Sequence, residues 1–368
     1  MITEKAKKNA DACRFCWMCR HLCPIGINTG NESHTPRAKG LMMSLVERGA
    51  PYTQEMAEVM YECCLCNACA NDCATGYEPS EFIREARTLA VVNDLVPERV
   101  QRVIDSTIHE DNIFGMPHKD RFAPLKEHIQ GLPEKAETVL YIGGTAAYKK
   151  PEIAIALIRI LKKAGIDFTV IANESQSGAE LGDLIGFVEE VRQVAYKTAD
   201  SINATDAKNL VVLDPHDARM FKHEYSKWGC APAMEIFTAT YFVAGLIRTK
   251  KLVPQKVENI TVTYQDPCRL ARDIGETSPA REIMEAMGLN IKEMFLHGDM
   301  TKCCGSQLVN EHSPRLARLA AKNRCDDAAR TGASILVTSC PGCLDMLGKE
   351  ALESFEVADL FYLLEKQC

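Results

Sequence analysis

The 368-residue chain has no long apolar run. No stretch reaches the ~18 apolar residues that a spanning helix needs. Its nearest candidate, Ile236 to Ile247, is short and broken by Thr238, Thr240 and Gly245. The first residues, MITEKAKKNADACRF, lack the apolar core of a secretory signal. Basic residues are not in excess: 43 Lys and Arg stand against 50 Asp and Glu, a net charge of −7. That argues against a nucleic-acid binder, which needs a basic surface. Gly143-Gly144-Thr145 follows a strand-like run, but the glycine fingerprint of a dinucleotide or Walker loop is missing, and so is any flavin motif. No Ser–His–Asp arrangement or glycosidase-like carboxylate pair stands out. Cysteine is the abundant residue, with 17 copies. Without a signal, the expected location is the reducing cytoplasm, where disulfides are disfavoured and clustered cysteines bind metal or do redox chemistry.

The cysteines are unevenly placed. Nine lie between Cys13 and Cys73, and none lies between Cys73 and Cys230. Residues 1–100 read as helices around cysteine loops, with helical patterns at Pro36 to Glu47, Glu55 to Glu62 and Ser80 to Asn93, the last capped by Ser80. Residues 101–136 read as a connector with short helical pieces. Residues 137–250 alternate strand and helix: strands at Thr138 to Ile142, Asp167 to Ala172 and Leu210 to Leu213, a helix at Glu152 to Ala164. Residues 251–368 repeat the plan, with strands at Ile260 to Tyr264 and Ile335 to Thr338 and helices at Pro279 to Met287 and Pro314 to Arg330. The expected fold is α + α/β, with an internal duplication of about 115 residues. Laid side by side, Gly143-Gly144-Thr145 matches Asp266-Pro267-Cys268, Ser175-Gln176-Ser177-Gly178 matches Lys302-Cys303-Cys304-Gly305, and Asp214-Pro215-His216-Asp217 matches Cys340-Pro341-Gly342-Cys343. The first copy has no cysteine at any of these places.

Cys13, Cys16, Cys19 and Cys23 form a C-x₂-C-x₂-C-x₃-C-P run. Cys63, Cys66, Cys69 and Cys73 repeat the spacing, with Ala74 in place of proline. The x₂ spacing turns three thiolates onto three irons of one cubane, and the fourth cysteine reaches the other cluster. Cys13, Cys16, Cys19 and Cys73 are therefore expected to hold one [4Fe-4S] cluster, and Cys63, Cys66, Cys69 and Cys23 a second. Structural zinc would show paired x₂ spacings rather than four cysteines per run. Cys64 is left over. The long helical insert between the runs resembles the α-helical ferredoxin of succinate and glycerol-3-phosphate dehydrogenase iron–sulfur subunits.

In the C-terminal third, Cys268, Cys303-Cys304-Gly305 and Cys340-Pro341-Gly342-Cys343 each fall at a strand end or in the turn after it. The carboxyl ends of parallel strands share one edge, so five thiolates should converge. Gly305 is expected where backbone passes close to metal. This pattern resembles the cysteine-rich CCG domain of heterodisulfide reductase, of glycolate oxidase and glycerol-3-phosphate dehydrogenase iron–sulfur subunits, and of lactate-utilisation proteins. The order of parts, an N-terminal α-helical ferredoxin domain followed by two α/β CCG-type repeats, resembles the D-type subunit of heterodisulfide reductase over essentially the whole chain. Glu32-Ser33-His34-Thr35-Pro36-Arg37 and Tyr61-Glu62-Cys63 take part in that resemblance. It implies a noncubane [4Fe-4S] cluster at Cys268, Cys303, Cys304, Cys340 and Cys343; zinc and another type of iron–sulfur cluster are the competing readings. Two departures from the family pattern weaken a disulfide-cleaving site. The first copy lacks ligands, and Ser306-Gln307-Leu308-Val309-Asn310 replaces a glycine-rich stretch.

The resemblance implies an iron–sulfur subunit that relays single electrons between a flavoprotein and a redox carrier, within a flavin-dependent oxidoreductase of the 2-hydroxy acid dehydrogenase type. The partner it implies is a FAD-linked dehydrogenase subunit, with an electron-transferring flavoprotein or ferredoxin as carrier, in a hetero-oligomer that is cytoplasmic or held at a membrane by that partner. The alternative is a catalytic subunit that reduces a disulfide at the C-terminal cluster. His21 reads as a neighbour of the first cluster rather than a ligand. Asp214, His216 and Asp217 read as a turn and helix cap rather than a hard-metal site. Tyr241, Phe242 and Trp228 read as core.

Overall fold

The computed structural model describes residues 2–14 and 16–368. Up to residue 129 the described regular elements are all helical. Pro36–Glu47 begins where Thr35 Oγ1 accepts the Ala38 amide and Pro36 occupies the first turn. Gln54–Tyr61 is capped the same way by Thr53. Pro79–Val92 lies across these helices, and their buried faces meet at Ala6, Met43, Met60, Tyr77, Phe82 and Ile83. Ser80 is not the cap of that helix. Proline fits the first helical turn, so the helix starts at Pro79 and Glu78 takes the cap position without a side-chain bond. Part of the expected connector is a 13-residue helix, Glu98–Glu110. Its Val100, Val103, Ile104 and Thr107 are buried at i, i+3, i+4 and i+7, the stripe of a core-facing helix.

Eight strands follow: β1 (Thr138–Tyr141), β2 (Phe168–Val170), β3 (Asn209–Val212), β4 (Glu235–Thr238), β5 (Thr261–Gln265), β6 (Asn290–Ile291), β7 (Ile335–Thr338) and β8 (Glu356–Asp359). They form two four-stranded sheets, ordered β2-β1-β3-β4 and β6-β5-β7-β8, and every pairing is parallel. The central strands are buried on both faces, as parallel sheets require. One apolar core serves both sheets: Leu140, Ile142 and Val211 from the first join Val262, Tyr264 and Val337 from the second. Pro151–Lys163 packs on Leu360–Glu365, and Ala239–Arg248 on Pro279–Ala286, across the junction.

The apolar stretch from Ile236 to Ile247 is the end of β4 followed by helix Ala239–Arg248. Among the described residues no helix is long and apolar enough to cross a membrane. Tyr241 on that helix is not core. It is 48% exposed and stacks on Phe237.

Candidate metal centres

Left-handed backbone shapes the cysteine loops. Trp17, between Cys16 and Cys19, has φ +71°. Leu65 and Asn67, either side of Cys66, have φ +48° and +58°. Such residues turn the chain sharply between neighbouring cysteines.

Cys23, Cys63, Cys66 and Cys69 line one small cavity, together with Cys64, Ile25, Lys39 and Ile83. The last cysteine of the first run is thus among the first three of the second. Burial pushes the Cys23 thiol up to about 11, against the opposing pull of the Lys39 ammonium and the Gly26 amide. That amide is 3.3 Å from Cys23 Sγ. Lys39 is itself 2% exposed and donates to His34 O at 2.6 Å, so a cation is fixed inside this wall.

Cys19 lies close enough to Cys13 and Cys16 to feel both. Burial pushes Cys19 up to about 12, with the Cys23 and Cys13 thiols adding to it. Cys73 comes to the same neighbourhood through Thr75, which hydrogen-bonds its sulfur at 3.2 Å and donates to Ala12 O at 3.0 Å. Burial raises the Cys73 thiol, but the Thr75 hydroxyl and the amides of Thr75, Tyr77 and Gly76 outweigh it and hold the group below its usual range. Cys16 is exposed, so this set lies at the surface. Trp17 beside it carries the Arg37 guanidinium 3.9 Å above its ring. Tyr77 is buried between the two sets and feels Cys69, Cys13 and Cys19 together.

The five C-terminal cysteines surround a third cavity of about 80 Å³. Cys268 follows β5, and Cys340 follows β7 as the cap of helix Pro341–Gly348. Cys303 and Cys304 arrive on the loop that precedes helix Gln307–His312. Cys304 and Cys343 sulfurs are 3.3 Å apart. Hydrogen bonding from Cys303, then Cys343, pulls the Cys304 thiol down to about 6, while contact with Cys303 and burial push Cys268 up. Gly305 has a packing role. Its φ is +102°, and a Cβ there would lie 2.3 Å from Ala317 O, so glycine is needed to seat the loop on helix Pro314–Ala329. Ser306, Gln307 and Leu308 form part of the cavity wall.

These sets are not separate. Cys64 lines both the second and the third cavity, and its sulfur contacts Gly305 O at 3.4 Å. Cys66 lies within hydrogen-bonding reach of Cys303 and is pushed well up by that contact and by burial. Arg272 runs between them: it donates to Cys66 O at 2.6 Å and feels the Cys66, Cys268 and Cys303 thiols. Spacing could not reveal this role for Cys64, because it depends on packing between distant segments. Of the other leftover cysteines, Cys230 sits in the core under the first sheet. Cys325 faces Leu347 O, and Cys368 lies near Lys163. His21 is exposed.

The donor chemistry suits iron–sulfur groups. Burial and neighbouring thiols push Cys19, Cys66, Cys69 and Cys268 up, so metal binding there must displace protons. A single ion needs its ligands about 2.3 Å from one point. Among the described residues no three His, Cys, Asp or Glu side chains close in that way. A cluster bonds each thiolate to a separate iron and spreads its ligands around a wider space.

The first sheet presents a matching edge without sulfur. Asp214 caps helix Pro215–Arg219 by accepting the His216 amide at 2.8 Å, as Cys340 caps its own helix. Ser177 Oγ donates to Asp217 Oδ1 at 2.5 Å, where Cys304 and Cys343 touch in the second half. Gly178 and Gly305 both have positive φ, +82° and +102°. Burial and then Glu180 push the Asp214 carboxyl up to about 6, and the same two causes hold the Asp217 carboxyl well above its usual range.

A network centred on Asp183 and Arg269 ties the parts together. Asp183 is 2% exposed and faces Arg84 at 2.9 Å, Arg269 at 2.6 Å and His216 at 3.0 Å. Arg269 also donates to Leu65 O and pairs with Asp273, which receives Asn67 Nδ2 at 2.7 Å.

Comparison with known proteins agrees with this chemistry. Residues 12–78 match a 4Fe-4S dicluster domain, and residues 262–348 match a cysteine-rich CCG domain. The chain is 28% identical to the D-type subunit of the dihydromethanophenazine:CoB–CoM heterodisulfide reductase of Methanosarcina acetivorans, covering 99% of this chain and 95% of that protein. It is 26% identical to the probable iron–sulfur-binding oxidoreductase FadF of Bacillus subtilis, over 83% of this chain and 46% of that one. It is 24% identical to the EtfAB:quinone oxidoreductase of Syntrophomonas wolfei, over 92% and 50%.

Proposed function

We propose that this chain, which carries a 4Fe-4S dicluster domain and a CCG domain and has iron–sulfur oxidoreductase subunits as its homologues, is an electron-transfer subunit whose cysteines form three adjoining ligand sets. Cys13, Cys16, Cys19 and Cys73 are the first set, Cys23, Cys63, Cys66 and Cys69 the second, and Cys268, Cys303, Cys304, Cys340 and Cys343 the third. Iron–sulfur clusters, when bound, take up and release single electrons without making or breaking bonds to a substrate. The observation that carries the reading is that consecutive sets adjoin: the Cys23 amide donates to Cys19 O at 3.2 Å, and Cys64 lines both the second and the third cavity and contacts Gly305 O beside Cys304. The surface position of Cys16 supports entry or exit of electrons at the first set. Single-electron groups acting on organic substrates need a two-electron partner, so a FAD-linked dehydrogenase with an electron-transferring flavoprotein or ferredoxin is the expected company. That partner would also account for any attachment to a membrane. The parts read as 1–100, 101–136, 137–250 and 251–368, the third being a CCG-type repeat without ligand cysteines.

Reconstituted protein is expected to hold about twelve irons and to give a third paramagnetic signal distinct from two cubanes. About eight irons with only axial cubane signals would remove the C-terminal centre. A second reading, reduction of a disulfide at the third set, is supported by the cavity left beside Cys340 and Cys343. Protein reduced by a viologen and offered small disulfides decides it; absence of turnover with every one excludes that reading.

A further inference from the structure

The edge of the first sheet faces the third cysteine set. Thr145, Glu180, Asp214 and His216 form one side of the cavity that Cys268, Cys303, Cys304, Cys340 and Cys343 form on the other. Thr145 Oγ1 also donates across the junction to Gln307 Oε1 at 2.7 Å. The half without ligand cysteines is thus the opposite wall of the proposed cluster site, and Asp214 and Asp217 stand where the other half has Cys340 and Cys343.

Behind that wall is a second, smaller cavity of about 10 Å³, enough for one water molecule. It shares Thr145, Glu180 and Ile113 with the first and is also lined by Asp217, Gln176 and Arg121. Gln176 is 7% exposed and Arg121 3%, yet among the described residues Gln176 Oε1 and Arg121 Nη1 have no hydrogen-bond partner. Buried polar atoms are rarely left so, and both line a space that suits water. Asp214 and Asp217 with Glu180 therefore form a carboxyl group cluster with a water-sized link behind it. Glu180 is partly exposed and borders both spaces, so it connects them with solvent.

We propose that Asp214, Asp217 and Glu180 are a proton-binding site for the C-terminal centre, taking up one proton as that centre gains one electron and releasing it when the electron leaves. This rests on the five cysteines holding a cluster, as proposed above. The step balances: one electron arrives from the neighbouring ligand set, one proton comes from solvent through Glu180, and net charge at the junction is unchanged. A compact negative charge added to a buried site favours the protonated form of nearby carboxyls.

Other groups face the pair. Glu174 is engaged by Arg121 at 2.7 Å. Tyr141 and Tyr225 are phenols pushed well up, first by burial and then by Asp217. Asp111 borders the small cavity and lies 3.4 Å from His118. His216 and Arg269 flank Asp214, and both also contact Asp183. Cys268 and Cys340 lie across the larger cavity.

The test is a redox titration of the reconstituted full chain at several pH values between 6 and 9, followed by electron paramagnetic resonance. The midpoint of the C-terminal signal is expected to fall with rising pH by about 59 mV per unit, since a tenfold change in proton concentration is 59 mV for a one-electron couple. Asp214→Asn keeps a capping oxygen, so the helix start survives. It and Glu180→Gln are expected to flatten this slope while the cubane midpoints keep their own pH behaviour. His216→Gln is expected to keep the slope. A pH-independent midpoint in the unmodified protein overturns the proposal whatever the variants do, and so does a slope that persists in both carboxyl variants. If the C-terminal signal is missing altogether, it is the cluster assignment that fails.

Discussion

Asp183 shows how much one side chain can hold. Burial alone would raise its carboxyl, but Arg84, Arg269 and His216 outweigh that and keep it well below the usual range. Each of these comes from a different part of the chain. Replacing Asp183 by Asn leaves two buried guanidiniums short of a partner, so a loss of about 3–5 kcal/mol is expected in urea unfolding of the cluster-loaded protein. The pH dependence has a definite sign. A carboxyl depressed in the folded state stabilises it above the unfolded value near 3.9 and loses that stabilisation as pH falls below it. The unmodified protein should therefore weaken steeply below about pH 4, and the variant should weaken less over the same range. An unchanged acid slope in Asp183→Asn would count against the network. No pattern in the sequence marks Asp183, because its three partners are brought together only by tertiary packing.

At the scale of elements, much of the fold was legible. Buried parallel strands such as Leu210 to Leu213 are continuous apolar runs, and the turn chemistry after each is plain in Asp214-Pro215 and Cys340-Pro341. The edge strands β4 and β8 were not legible. Each is four residues long and opens on an exposed glutamate, so neither the alternation nor the apolar run of a buried strand is present. Helix Glu98–Glu110 was hidden among polar residues, although its apolar stripe has helical spacing. The cysteine runs were legible because their spacing is local chemistry. The matching carboxyl wall was legible only as an alignment of two halves, and its facing position required the packing of one sheet edge against the other. Thr35 gives an element-scale test. Its hydroxyl caps Pro36–Glu47, bonds Glu32 O at 2.7 Å, and its methyl backs Gly26 beside Cys23. Thr35→Ala is expected to cost about 1 kcal/mol and to hasten release of iron from the second set to a chelator. Unaltered release would show that this helix start does not brace Cys23.

For the whole molecule, stability is unevenly shared. The two sheets have a common apolar core, whereas the helices that carry the first two cysteine sets enclose mostly alanine, methionine and a few aromatics. Burying so many thiols around one point is favourable only with metal in place. Stripping iron anaerobically should therefore unfasten Glu4–Asp11 through Pro79–Val92 while the eight strands stay folded. Hydrogen exchange read by mass spectrometry checks this. Equal loss of protection in both regions would mean the molecule is a single cooperative unit.

The contact between Cys66 and Cys303 has a consequence for manufacture. These residues are made far apart in time on the ribosome, and the wall they share with Cys64 does not exist until the second sheet has emerged. The second set can be loaded early, but its C-terminal side then stays open to solvent and oxygen until synthesis is nearly complete. Cells making this protein have reason to protect the nascent chain, or to delay iron delivery until it is released.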